Sequence, residues 1–130
     1  MNMLIAAFIV LGCAVLLGTA LAVLHLRTQS GPPASWPAVP WPLAALHGLI
    51  GIGGLICLLL ALRGPPRGLD QGTASFRAIG ATLIALAALA GGGLLATRLR
   101  NRRRPGTLIG VHAALAVSGF VVLAAYLLAG

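Results

Sequence analysis

Residues 43–62 read LAALHGLIGIGGLICLLLAL, and residues 107–129 read TLIGVHAALAVSGFVVLAAYLLA. Each is a long apolar run carrying one imidazole near its start, His47 in the first and His112 in the second. A helix needs about 20 apolar residues to cross about 30 Å of hydrocarbon. Both runs meet that length, so each predicts a membrane-spanning helix with a histidine in its second turn. Two further runs of the same kind flank them, from about Asn2 to Leu26 and from about Ser75 to Leu99. The chain therefore reads as an all-α, integral membrane, up-down-up-down four-helix bundle, a single transmembrane domain over residues 1–130. The predicted helices are 2–26, 43–62, 75–99 and 107–129.

Composition agrees with that reading. Of 130 residues, 59% are hydrophobic and only 8% charged. A soluble domain carries about a quarter charged residues. Nine Arg stand against one acid, Asp70, with neither Lys nor Glu. So basic a balance could suggest nucleic acid, but the Arg residues sit in short loops between apolar runs, where topogenic charge and lipid contact explain them better. No nucleic-acid partner is expected.

The loops also give an orientation. Arg27, Arg98, Arg100, Arg102, Arg103 and Arg104 share one face, and Arg63, Arg67 and Arg77 share the other with Asp70. Positive charge accumulates on the cytoplasmic side. The Arg-rich face is then cytoplasmic and both termini lie outside, consistent with a bacterial inner membrane. Met1-Asn2-Met3 lacks the positive start of a signal peptide and the first apolar run is long for one, so helix 1 reads as an uncleaved span. The first loop, GPPASWPAVPWP at 31–42, has five prolines that favour a stiff polyproline-like path. It reads as an interfacial strap anchored by Trp36 and Trp41, with a lid as the sharper alternative. Phe76 and Tyr126 are candidate anchors for the opposite interface.

Alternating helix direction brings all three histidines to one end. His25 closes helix 1, His47 opens helix 2 and His112 opens helix 4. Ionisable side chains inside a membrane are costly and mark functional sites, and imidazole is the commonest metal ligand. A seven-residue spacing returns to the same helix face. On that rule His47 shares a face with Gly51 and Gly54, His112 with Ala116 and Gly119, His25 with Gly18 and Ala14, and Arg98 with Gly91, Ala87 and Gly80. Small residues beneath a histidine would make room for a flat, bulky cofactor. The competing explanation is close helix packing through small faces, which is common in membranes.

A short internal repeat supports matched roles. Leu24-His25-Leu26-Arg27 ends helix 1 and Thr97-Arg98-Leu99-Arg100 ends helix 3. Each precedes a proline-containing loop and a helix with histidine in its second turn. His47 and His112 become counterparts, and Arg98 stands where His25 stands, in two hairpins related by an axis along the membrane normal.

In an up-down-up-down bundle helices 2 and 4 are diagonal. Two imidazoles at equal depth on diagonal helices can ligate one haem iron from opposite sides. Its propionates would point to the near surface, toward Arg98, Arg100 or Arg27. On His47 with Gly51 and Gly54, and His112 with Gly119, helices 2 to 4 resemble small b-type cytochromes with four-helix membrane cores, the cytochrome b561-like families. The resemblance implies electron transfer through haem b. Members typically use four histidines for two haems, one near each face. This chain has three, all at one face, and so departs from the pattern for a second haem.

The expected site is therefore His47 and His112 as ligands, with Gly51, Gly54, Gly119 and Arg98 around the cofactor. His25 is more plainly an interfacial residue at a helix end. It is also a third ligand in a tri-histidine Zn or Cu alternative, or a hydrogen-bond partner for quinone. No catalytic residue is expected. No Asp or Glu lies within a helix, which argues against a di-iron carboxylate site or a carboxylate proton relay. Cys13 and Cys57 read as small buried hydrophobes at different depths, unsuited to a disulfide. The leading function is an electron-transfer subunit with one b-type haem, exchanging electrons with quinone or a partner protein. The alternative is a cofactor-free structural or accessory subunit within a larger membrane complex or homo-oligomer. Membrane lipids surround it in either case.

Overall fold

The computed structural model describes residues 3–30, 40–65, 74–100 and 106–129. They form four helices: α1 Met3–Ser30, α2 Trp41–Ala61, α3 Ala74–Leu99 and α4 Gly106–Ala129. All four are long and apolar enough to cross a membrane, which makes the chain an integral membrane protein with four spans. The shortest, α2, has 21 residues and at about 1.5 Å rise per residue covers about 30 Å. The proline-rich segment with Trp36, together with Asp70 and Arg102 to Arg104, lies outside the described residues.

Helix bounds follow the expected ones except in α1, which runs past Leu26 to Ser30. Polarity alone ended the predicted helix at Arg27, but nothing in Arg27-Thr28-Gln29-Ser30 breaks a helix. Thr28 Oγ1 donates to the His25 carbonyl at 2.7 Å, absorbing one acceptor of the last turns. At the other extreme, α2 begins two residues early with Pro42 in its first turn, where a missing N–H costs nothing. The Ala44 N–H donates to the Pro40 carbonyl at 3.2 Å and closes that turn.

The helices pack as two hairpins. Contacts are extensive between α1 and α2 and between α3 and α4, and sparse at the α1–α4 and α2–α3 seams. Helices α2 and α4 make none and stand on a diagonal. The stacked rings of Phe8 and Phe120, with centroids 4.6 Å apart and planes at 10°, bridge the α1–α4 seam. Outward faces are apolar, as for Leu16, Leu49, Leu89 and Leu128, and match a lipid environment.

The core is displaced to one end. Its buried cluster comprises Leu4, Ala7, Leu11, Leu58, Ala81, Ile84, Leu123 and Tyr126. All of it lies in the half remote from the histidines. Tyr126, expected at an interface, is instead 1% exposed within this cluster. Cys13 also departs from expectation: it faces outward and is exposed, while Cys57 is partly buried, and both are free thiols.

Candidate functional site

Helices α1 and α2 meet through two small residues. Gly54 of α2 lies against Leu11, so close that a Cβ there would sit 2.8 Å from the leucine side chain and 3.2 Å from its backbone nitrogen. One and two turns farther along α1, Ala14 and Gly18 face His47. The His47 Nδ1 is 3.0 Å from the Ala14 carbonyl oxygen, and a Cβ on Gly18 would stand 2.8 Å from His47 Cε1.

The second hairpin repeats this arrangement residue for residue. Gly119 of α4 lies against Ile84 of α3, and Gly91 lies against His112 with a Cβ-to-Cε1 distance of 3.1 Å. The His112 Nδ1 is 2.8 Å from the Ala87 carbonyl oxygen. Ala7 and Leu58 of the first hairpin correspond to Gly80 and Leu123 of the second, all buried. One constant offset relates α1 to α3 and another relates α2 to α4. The faint sequence repeat is thus a structural one, with His47 and His112 as counterparts across a pseudo-two-fold axis.

A carbonyl oxygen only accepts, so each Nδ1 must carry the proton and donate. That fixes the tautomer of both rings and leaves each Nε2 with an available lone pair. A backbone carbonyl on the non-ligating nitrogen is a common way to orient a metal-binding histidine. The two rings lie 5.9 Å apart between centroids, with planes at 88°. A metal–imidazole bond of about 2 Å puts two imidazoles on opposite sides of one ion with ring centres roughly 6 Å apart. The spacing suits one ion between them. With both Nε2 atoms deprotonated, the rings cannot hydrogen-bond to each other directly.

The small residues do a different job from the one their spacing implied. Gly18 and Gly91 accommodate imidazoles from the neighbouring helix, and Gly54 and Gly119 accommodate Leu11 and Ile84. These four bring helices together within each hairpin. Gly51 behaves otherwise. It lies one turn beyond His47, on the inward stripe that ends in the buried Leu58, yet a Cβ there would meet nothing within 4 Å.

Gly51 belongs to a wider pattern. Buried residues extend only to Ala14 in α1 and Ala87 in α3, and begin only at Gly54 in α2 and Gly119 in α4. Among the described residues of the histidine half none is buried. The fully buried residues are confined to one end of the bundle, and the two imidazoles mark the boundary.

Arg98 stands in the last turn of α3 at the histidine end. Its guanidinium carbon lies 4.9 Å from the centre of the Trp41 ring on α2. One of its terminal nitrogens, Nη1, is buried without a hydrogen-bond partner. Arg27 and Arg100, the other expected propionate partners, are exposed. His25, the repeat counterpart of Arg98, is partly buried in the penultimate turn of α1. It does not join the histidine pair, because no group of three His, Cys, Asp or Glu is assembled for a metal among the described residues. The tri-histidine alternative is therefore not formed.

No protein-family model, curated protein or solved structure matches this chain. The paired histidines and Arg98 were legible as ionisable groups in apolar runs. The Ala14 and Ala87 carbonyls were not, since an alanine's backbone carries no signal in a sequence.

Proposed function

We propose that this protein is a membrane-embedded electron-transfer subunit that holds one b-type haem between His47 and His112. The observation that carries this reading is the pair of imidazoles, each tethered through Nδ1 to a backbone carbonyl and spaced 5.9 Å apart. Chain residues fit the group in three further respects. A Cβ on Gly51, one turn from His47, would meet nothing within 4 Å, no described residue of the histidine half is fully buried, and Arg98 carries a buried nitrogen with no partner.

When bound, haem supplies a one-electron carrier whose potential is set by its ligands and surroundings. The chain's own part is positional. Ala14 and Ala87 fix the imidazole tautomers, Gly18 and Gly91 let each ring approach the neighbouring helix closely, and the close-packed half holds the two hairpins in register. Among the described residues there is no acidic side chain, and the role we assign is that of a carrier. Quinone or a partner protein in a larger membrane complex would exchange electrons with it. The Arg-rich histidine face is assigned to the cytoplasm and both termini to the outside, on the charge asymmetry of the loops. A bacterial inner membrane suits this assignment.

The second reading, a cofactor-free accessory subunit, is favoured by Gly54 and Gly119, whose tight contacts serve packing alone. A reduced-minus-oxidised visible spectrum of the purified protein, with a haem-to-protein ratio, separates the two. A bis-histidine b-type spectrum near one haem per chain is expected. A colourless protein, prepared with haem supplied, overturns the proposal and leaves the accessory reading.

A further inference from the structure

Helix α3 carries three consecutive glycines, Gly91-Gly92-Gly93, beginning at the level of the His112 ring. Only the first is required by its neighbour: a Cβ on Gly91 would stand 3.1 Å from His112 Cε1. A Cβ on Gly92 would meet nothing within 4 Å, and one on Gly93 would make ordinary contact with Leu108 Cδ2 at 3.5 Å. The repeat supplies a comparison. These three residues correspond to Gly18, Thr19 and Ala20 of α1, so the same helix positions carry side chains in the first hairpin. Glycine is a poor helix former, and pairs of glycine or serine are among the few places where a helix kinks sharply. Packing leaves Gly92 and Gly93 unexplained.

Burial changes at the same point. The last buried residue of α3 is Ala87, and none of residues 91–100 is buried. Beyond the glycines the helix is regular again. Thr97 Oγ1 donates to the Leu94 carbonyl at 2.8 Å, and the Arg100 N–H donates to the Ala96 carbonyl at 3.1 Å. Residues 94–99 are thus a stiff segment on a weak joint. Across the α2–α3 seam the segment is held by Arg98, whose guanidinium carbon lies 4.9 Å from the centre of the Trp41 ring. Trp41 is 47% exposed, and a cation–π contact at an exposed ring is weak enough to open. The repeat counterparts of this pair are His25 and Gly106, so the contact is not duplicated at the α1–α4 seam.

We propose that Gly92 and Gly93 form a hinge and the Arg98–Trp41 contact its latch, and that residues 94–99 swing outward to open the α2–α3 seam and admit the planar group held by His47 and His112. The gating role rests on the haem reading; the hinge does not. Hinges are a few positions, often small residues, that absorb a backbone change while the packed elements on either side keep their shape. Here the joint lies beyond the last buried residue of α3. The core and both imidazole tethers, to Ala14 and Ala87, stay in place while the seam opens. A gate of this kind alters how fast the ligand enters and leaves by one common factor, and leaves its affinity unchanged.

The test measures two quantities on the full-length apoprotein in detergent. Stopped-flow absorbance gives the rate of haem uptake, and transfer to an excess of a haem-scavenging protein gives the rate of release. Gly92→Ala with Gly93→Ala should slow both by about five- to thirtyfold, the factor to which two glycine-to-alanine changes in a helix convert, with the dissociation constant unchanged. Trp41→Leu, which frees the latch, should raise both by about two- to fivefold. Hydrogen exchange then reads the hinge without pigment. Amides of residues 94–99 should exchange more slowly in the double variant, and those of residues 81–87 as in wild type. Gly92→Ala alone, whose methyl meets nothing, tests the same direction if the double variant fails to fold. Unchanged uptake and release in the glycine variants, or a rate change matched by a change in dissociation constant, overturns the gate. If wild type takes up no haem, the haem reading and the gating role fall together; slower exchange then still upholds the hinge, and unchanged exchange overturns it.

Discussion

His47 and His112 stand with ring centroids 5.9 Å apart and planes at 88°, although 65 residues separate them and their helices make no backbone contact. Each ring is held from its own hairpin, by the carbonyl of Ala14 on one side and of Ala87 on the other. Their separation is therefore set by how the two hairpins dock, not by either helix alone.

The ligand assignment makes the three histidines unequal. His47→Ala and His112→Ala should each abolish the bis-histidine spectrum, and His25→Ala should retain it. Visible spectra of the three purified variants check this. Retention of the wild-type spectrum by either of the first two would remove that residue from the ligand set.

Gly18 and Gly91 should be sensitive for a specific reason. A methyl group on Gly18 would come within 2.8 Å of His47 Cε1, and one on Gly91 within 3.1 Å of His112 Cε1. Each imidazole is tethered and cannot yield without losing its hydrogen bond. On the haem reading, Gly18→Ala should thus perturb the ligand field of the iron more than Gly91→Ala. Electron paramagnetic resonance of the oxidised protein should show a larger high-spin fraction in Gly18→Ala.

Gly51 and Gly54 separate cofactor space from helix packing. Gly54→Ala drives a methyl into Leu11 and its backbone nitrogen, and overpacking of this kind costs about 1–3 kcal/mol. Gly119→Ala meets Ile84 similarly. Thermal unfolding of the apoprotein in detergent should register both. Gly51→Ala meets nothing and should leave apoprotein stability unchanged or raise it by up to about 1 kcal/mol, since Gly is a poor helix former. It should nevertheless weaken haem binding. An unaltered pigment affinity in Gly51→Ala would place the cofactor elsewhere.

The Phe8–Phe120 stack reports on hairpin docking. Replacing Phe120 with Leu keeps an apolar side chain and removes the ring pair, worth about 1 kcal/mol beyond area. On the haem reading, loosening that seam should lower pigment affinity along with stability. The joint loss, read by haem titration and thermal melting, distinguishes it from Gly54→Ala, whose defect lies within one hairpin.

Part of this site was readable in advance. A histidine in an apolar run announces itself by its desolvation cost, and alternation of helix direction fixes which end of the bundle it occupies. The same reasoning located Arg98. Tyr126 was not legible, because an aromatic with a hydroxyl suits an interface and a bundle core equally well, and only its place in the buried cluster decided between them. For Gly18, Gly54, Gly91 and Gly119 the spacing left cofactor room and helix packing as alternatives, and the contacts they make are packing contacts. A seven-residue spacing shows which face a small residue occupies on its own helix, but not whether that face meets a cofactor or a neighbour.

The sequence by itself determined four apolar spans, an all-α bundle, three histidines at one end and a repeated hairpin. Those properties are set within single helices by the length of an apolar run and the period of 3.6 residues. Only the tertiary structure decided that Ala14 and Ala87 anchor the imidazoles, that Gly51 alone of the predicted glycines has space beside it, and that the core closes at the end remote from the histidines. These depend on which helix lies beside which and at what depth. That choice is made by the fit of Leu11 into Gly54 and Ile84 into Gly119, contacts between residues far apart in the chain.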